Sequence, residues 1–207
     1  MKNAIIIVLL ILSFRGFAQV KIGPTVGAQL TNVKGSSYNT DSRFAFNFGA
    51  VALVPVTHDV DIHFQVLASS KGYSFKDIYG YKYTMKPVYL ELPVVGRFKF
   101  ETSEQSKVIV GLGGYYAFGI AGKYYYYESG YKESKKIDFG NSSSDNLKSS
   151  DFGIVFQVGA DFRENFEGLF FVDWGLSNII PTATTNTYNR VFGINLAWYF
   201  NLNKKQS

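Results

Sequence analysis

From about residue 19 onward, apolar side chains fall on alternate positions in eight separate stretches: Val20–Leu30, Arg43–Val56, Val60–Phe75, Tyr83–Phe100, Lys107–Tyr125, Asp151–Arg163, Gly168–Ile180 and Arg190–Leu202. A period of two is the signature of a strand with two unlike faces. In the second stretch Phe44, Phe46, Phe48, Ala50, Ala52 and Val54 share one face, and Ala45, Asn47, Gly49, Val51 and Leu53 share the other. In the sixth, Phe152, Ile154, Phe156, Val158, Ala160 and Phe162 oppose Gly153, Val155, Gln157, Gly159, Asp161 and Arg163. The last stretch, RVFGINLAWYF, repeats the rule with Phe192, Ile194, Leu196, Trp198 and Phe200. No amphipathic helix is written anywhere after the N-terminal segment.

One apolar face per strand fits a soluble sandwich as well as a barrel in lipid, and two further features separate them. Each stretch reaches the roughly 9–11 residues that a tilted strand needs to cross a bilayer, whereas soluble strands average about 5–6. The connections also alternate between short, as in THD and ENFE, and long, as in TNVKGSSYNTDS and YYESGYKESKKIDFGNSSSDNLKSS, the asymmetry of outer-membrane barrels. The pattern therefore predicts an all-β, eight-stranded antiparallel up-and-down transmembrane barrel. With an even strand count, both termini fall on the short-turn side, which is the periplasm.

The N-terminal segment changes the picture only by supplying a route. Lys2, an apolar run from Ala4 to Leu12, and small residues at Gly16 and Ala18 read as a signal peptide cleaved after Ala18. The run is too short for a membrane-spanning helix, which needs about 20 apolar residues. The expected domains are thus a signal peptide at 1–18 and an outer-membrane barrel at 19–207. The chain has no cysteine, so neither a lipid-anchored N-terminus nor a disulfide framework is expected. Its 15 tyrosines, 19 phenylalanines and 20 glycines, against 5 prolines, suit a barrel in lipid. The formal charge of +5 falls by two with Lys2 and Arg15, and no basic block marks a nucleic-acid footprint, so nucleic acid is not an expected partner.

Chemistry is then sought on the inner faces. Eight strands leave an interior that side chains just fill. Glu91, Arg97, Asp161, Arg163 and Asp173 are expected to form a luminal ion-pair network, with Asp61, His63, Gln65, Asn195 and Tyr199 beside them, because charges withdrawn from water persist when paired. The same residues could serve a small channel or transporter. Tyr131, Lys132, Lys135 and Lys136, in the long connection Glu128–Ser149, are the candidate partner-binding loop residues. Gly111, Gly113 and Gly114 lack the third spaced glycine and following helix of a dinucleotide site. Asp138, Asn141 and Asp145 match no EF-hand spacing. His58 and His63 are the only histidines, and Ser69 lies about 20 Å along the strand from His63. A lipid-modifying enzyme is therefore the least favoured class, and neither cofactor, metal nor catalytic residues are expected.

The segments FAQ, KIGPTVGAQLTN, YLELPVVGRF, VGLGGYYAFGI, DFGIVFQVGADF, GLSNI and FGINLAWYF resemble the PorT-like outer-membrane barrel family of Bacteroidota over nearly the whole mature chain. The resemblance implies an eight-stranded barrel in the outer membrane and supplies no catalytic residues. Its founder is associated with protein secretion and gliding, a role that nothing in these loops carries over. The expected function is a non-enzymatic envelope barrel with a filled lumen, acting in structure, assembly or binding through its loops. Its expected partners are outer-membrane lipid, the barrel assembly machinery during biogenesis, and an envelope protein met through the loops.

Overall fold

The computed structural model describes residues 20–35, 39–103, 105–128, 131–162, 165–181 and 186–201, and the strands among them run β1 (Lys21–Lys34), β2 (Thr40–Asp41), β3 (Arg43–Pro55), β4 (Val60–Ser70), β5 (Tyr73–Lys76), β6 (Lys82–Ser103), β7 (Ser106–Glu128), β8 (Tyr131–Lys136), β9 (Ser150–Phe162), β10 (Phe166–Gly175), β11 (Tyr188–Trp198) and β12 (Phe200–Asn201). The signal-peptide segment lies outside the described residues. Every pairing between these strands is antiparallel, and the ring runs β1-β3-β4-β6-β7-β9-β10-β11 before closing on β1. It is an eight-strand barrel in which each strand pairs with its neighbour in sequence. β12 prolongs the closing strand, with Lys21 opposite Asn201 and Ile22 opposite Phe200. Closure leaves no free edge along the wall.

The alternation read from the sequence becomes two surfaces. Phe44, Phe46 and Phe48 are 59–64% exposed, while Ala45 and Asn47 between them, and Val51 farther along the strand, are buried. The same split recurs at Phe152, Ile154 and Phe156 against Val155 and Gln157, and at Phe192, Ile194 and Leu196 against Val191 and Asn195. A continuous apolar outer wall has only lipid as a compatible solvent. Near the end carrying the short turns, Phe162 and Phe166 have ring centroids 6.4 Å apart and Phe166 and Trp198 6.2 Å, with Phe98 and Phe100 further round. At the opposite margin the Arg190 guanidinium lies 4.1 Å over the Trp174 ring. These are two aromatic girdles flanking an apolar belt.

Four sequence expectations need correction. Val60–Phe75 is not one strand: it breaks at Lys71 and Gly72, where φ is +117° and an added Cβ would lie 2.2 Å from the Met85 carbonyl oxygen. The seventh strand ends at Gly175 rather than Ile180, and it starts at Phe166, two residues before Gly168. The connection after Glu128 is not all loop, because Tyr131–Lys136 pairs with Lys123–Glu128. β6 and β7 outrun the barrel wall, with an irregularity between Val88 and Tyr89 that leaves Ile120 unpaired and changes the inward parity of β7 from odd to even. Together β2, β5, β6, β7 and β8 make a sheet standing beyond the belt at the long-loop end.

Candidate functional site: the closed lumen

Two ionic clusters occupy the barrel interior. Toward the short-turn end, Arg97 on β6 is fully enclosed. Its Nε donates to Asp61 Oδ1 at 2.7 Å, its Nη2 to Asp61 Oδ2 at 3.2 Å, and its Nη1 to Glu167 Oε2 at 2.8 Å. Asp61 thus accepts the planar fork in the bidentate geometry that guanidinium favours. Lys99 Nζ lies 3.2 Å from the same carboxylate. The Tyr199 hydroxyl donates to Glu167 Oε1 at 2.9 Å and lies 3.2 Å from His63 Nε2, while His63 Nδ1 lies 3.3 Å from Gln157 Oε1. Gln157 then donates to Gln65 at 3.2 Å. These residues come from β4, β6, β9 and β10 and from Tyr199 beside β11, so the cluster ties the wall together across its diameter.

Toward the long-loop end, Lys71 is 0% exposed and faces three carboxylates: Glu91 at 3.0 Å, Asp151 at 3.7 Å and Asp173 at 3.9 Å. Its ammonium also lies 3.9 Å from the Tyr115 ring centroid. Asp151 accepts from the Tyr115 hydroxyl at 2.9 Å, from Asn189 at 2.9 Å and from Ser177 at 2.6 Å. The bend at Gly72 ends β4 and leaves Lys71 at the break, inside the ring of wall strands. One lysine among three carboxylates is offset by neutral donors, which fill the acceptor capacity the cation does not.

Above this cluster the long-loop mouth is sealed with apolar residues. Val33, Tyr73, Ile137, Leu147 and Ile179 are buried against one another, with Phe75, Met85, Tyr124, Phe139 and Ile180 around them. Ile137 and Leu147 come from the connection after β8, and Ile179 from the one after β10. The Phe139 ring stacks edge-on to Tyr89 at 5.7 Å and fills the space beside Gly119, where a Cβ would meet the ring at 2.1 Å. At the other end Val51, Leu53, Ala197 and Tyr199 form a smaller buried cluster. Plug, cluster, amide relay, cluster and apolar floor follow in series.

Of the expected network, Glu91 and Asp173 meet in the Lys71 cluster, Arg97 belongs to the other, and Asp161 is half-buried on the inward face of β9, opposite Glu167 and Lys107 in register. Arg163 lies outside the described residues. The sequence reading omitted Lys71, Asp151 and Glu167, although each shares the parity of an inward row: Lys71 that of Asp61 and His63, Asp151 that of Gln157, Glu167 that of Asp173. Of the loop set, Lys132, Lys135 and Lys136 stand on β8 with Tyr131, all exposed. Lys135 contacts Glu133 at 3.5 Å on the face carrying Tyr83, Tyr124 and Tyr126, which with them lines a cavity of about 240 Å³. The other two lysines take the opposite face. Also on the cavity side, the Glu128 carboxylate accepts from Tyr126 at 2.8 Å, and its hydrogen bond raises the Tyr81 phenol above its ordinary range.

Residues 15–181 match the outer membrane protein beta-barrel domain family. The chain belongs to that family. OprG from Pseudomonas aeruginosa has the same fold, at 12% identity and a TM-score of 0.51 over 89% of this chain and 97% of that one. Other similar structures are Escherichia coli outer membrane protein W, at 13% identity, 89% and 98% coverage and a TM-score of 0.45, and Ail, the attachment invasion locus protein of Yersinia pestis, at 14%, 88% and 100%, and 0.44. No curated protein matches the sequence. This is an outer-membrane β-barrel protein.

Proposed function

We propose that this outer-membrane barrel is non-enzymatic and non-conducting, a closed membrane anchor that displays its protruding sheet and loops outside the cell, with both termini in the periplasm. The observation that carries the reading is the closed series inside the lumen: the Arg97 and Lys71 clusters under the plug of Ile137, Leu147 and Ile179. Aqueous diffusion channels are built from about 16 strands, and here the interior of eight is spent on ion pairs. A hydrolytic or acyl-transfer site would need a histidine and serine at the lipid surface. His63 is instead enclosed with Gln157 and Tyr199, and Ser69 accepts from Gln29 at 3.1 Å. In this reading residues 1–18 are the export signal, the barrel assembly machinery inserts the chain, an envelope protein is met through the loops, and the PorT-like resemblance supports a place among the small barrels of Bacteroidota.

The test is conductance of the folded full-length chain in planar bilayers. No steady current is expected. A steady current altered by Arg97→Ala and Glu91→Ala would replace this reading with a small channel that uses the luminal charges. Orientation is tested separately: Ile78→Cys, in the turn between β5 and β6 where Ile78 is 89% exposed, labels with a membrane-impermeant maleimide on intact cells, and protection there would reverse the assignment of the two ends.

A further inference from the structure

In the sheet beyond the belt, β6, β7 and β8 carry most of their lysines on one face and their acids on the other, and Asp41 of β2, opposite Ser74 in register, is an acid that shares the lysine face. Lys86, Lys123 and Lys136 lie opposite one another across β6, β7 and β8. Four residues farther out, Lys82 and Lys132 flank Tyr127 in register, with Lys76 of β5 opposite Lys82. Between these rows run Ser74, Thr84, Tyr125 and Ser134. The ammonium groups of Lys86 and Lys132 each lie 4.7 Å from the Tyr125 ring, which places them on its side of the sheet. None of the six lysines forms an ion pair with a described residue. The acids of β7 and β8, Glu128 and Glu133, take the other face with Tyr126 and Lys135, and Asp77 is occupied in capping the turn, accepting from the Tyr79 and Tyr81 amides at 2.9 Å.

Like charges directly opposite one another on a sheet repel, and three in a row fall within about 10 Å of sheet width. Such an arrangement is tolerated best against an anion. Its position says which one. The lysine face is the outward face, a direct continuation of the lipid wall: along β6 the outward series runs Phe98, Val94, Leu90 and then, past Val88, Lys86. The first lysine row is therefore also the first charged row above the apolar belt, at the depth of headgroups. Tyrosines at that depth are interfacial residues in their own right.

We propose that the Lys86–Lys123–Lys136 row, with Lys76, Lys82 and Lys132 above it, binds the phosphate groups of lipids in the leaflet at the long-loop end and fixes the barrel's depth and the sheet's stance on that surface. With that end outside, as under the proposed function, the lipid is the phosphorylated glycolipid of the outer leaflet.

The test reconstitutes the folded full-length chain in phosphatidylcholine nanodiscs doped with bisphosphorylated lipid A and measures lipid retained by native mass spectrometry. Wild type retains the lipid, and Lys86→Gln/Lys123→Gln/Lys136→Gln lowers its affinity by about a hundredfold, from the attraction expected of three surface lysines. The triple arginine variant retains it. Equal retention by wild type and the glutamine variant overturns the proposal, as does equal retention of lipid A stripped of both phosphates. Binding of a soluble sulfated oligosaccharide without retention of lipid A also overturns it, by assigning the face to a free polyanion. Each variant is confirmed folded by its heat-dependent gel mobility. The nanodisc presents lipid A on both leaflets, so failure there counts against the lysine face, whereas failure of Ile78→Cys labelling on cells counts against the orientation.

Discussion

At the residue scale, the lumen is an electrostatic structure whose parts depend on one another. Arg97→Ala leaves Asp61 and Glu167 without their guanidinium. Removing one partner of a buried ion pair costs about 3–5 kcal/mol, so the variant's urea midpoint in lipid should fall by a corresponding amount. Neutralising all three positions, as Arg97→Met/Asp61→Asn/Glu167→Gln, should recover most of that loss. If the single variant were as stable as wild type, the cluster would not be holding the wall together. Parity along the strands sufficed to read Glu91, Arg97 and Asp173 as inward-facing, and it was equally available for Lys71, Asp151 and Glu167. Partnership was not available, because Arg97 and Glu167 are 70 residues apart and meet only through the closure of the ring. Lys71 adds a second difficulty: it stands where the strand breaks, and the break depends on the positive φ of Gly72.

At the element scale, glycine marks where strands have no room. An added Cβ at Gly113, on the inward face of β7, would lie 2.0 Å from the Val94 carbonyl oxygen, whereas at Gly96, on the outward face of β6, the nearest atom is 3.8 Å away. Gly113→Ala should therefore destabilise the barrel by about 1–3 kcal/mol, the usual cost of overpacking, and Gly96→Ala should be neutral. Heat-dependent gel mobility against temperature reads both. Equal effects would mean that crowding on the inward side is not what selects glycine there. The existence and number of the eight strands followed from the period-two pattern alone. Their ends did not: β6 and β7 pair with β5 and β8 beyond the membrane, where both faces meet water and headgroups and the apolar alternation fades. The change of inward parity in β7, set by the irregularity opposite Val88 and Tyr89, is a tertiary feature with no separate mark in the sequence.

At the scale of the whole molecule, the outer wall and the interior follow different rules. The wall is apolar throughout and flanked by aromatic girdles, which the composition already announced. The interior is closed by loops as much as by strands: Ile137, Leu147 and Ile179 form a plug, and in sequence the first two read as parts of a polar connection and the third as the end of a strand. Conductance reads the passage of ions, and closure to water is a separate property. Chemical access reports on it directly, and the absence of cysteine makes a single introduced thiol unambiguous. Ala117 is 0% exposed and sits between Glu91 and Asp151 in register, so Ala117→Cys adds one small atom at the heart of the Lys71 cluster. A closed lumen predicts that this thiol resists a water-soluble thiosulfonate reagent in the folded barrel and reacts once the protein is heat-unfolded, while Ser134→Cys reacts in both states. Reaction of the folded Ala117→Cys barrel at the rate of the Ser134→Cys control would contradict it, and would make the luminal charges the lining of a water-filled path.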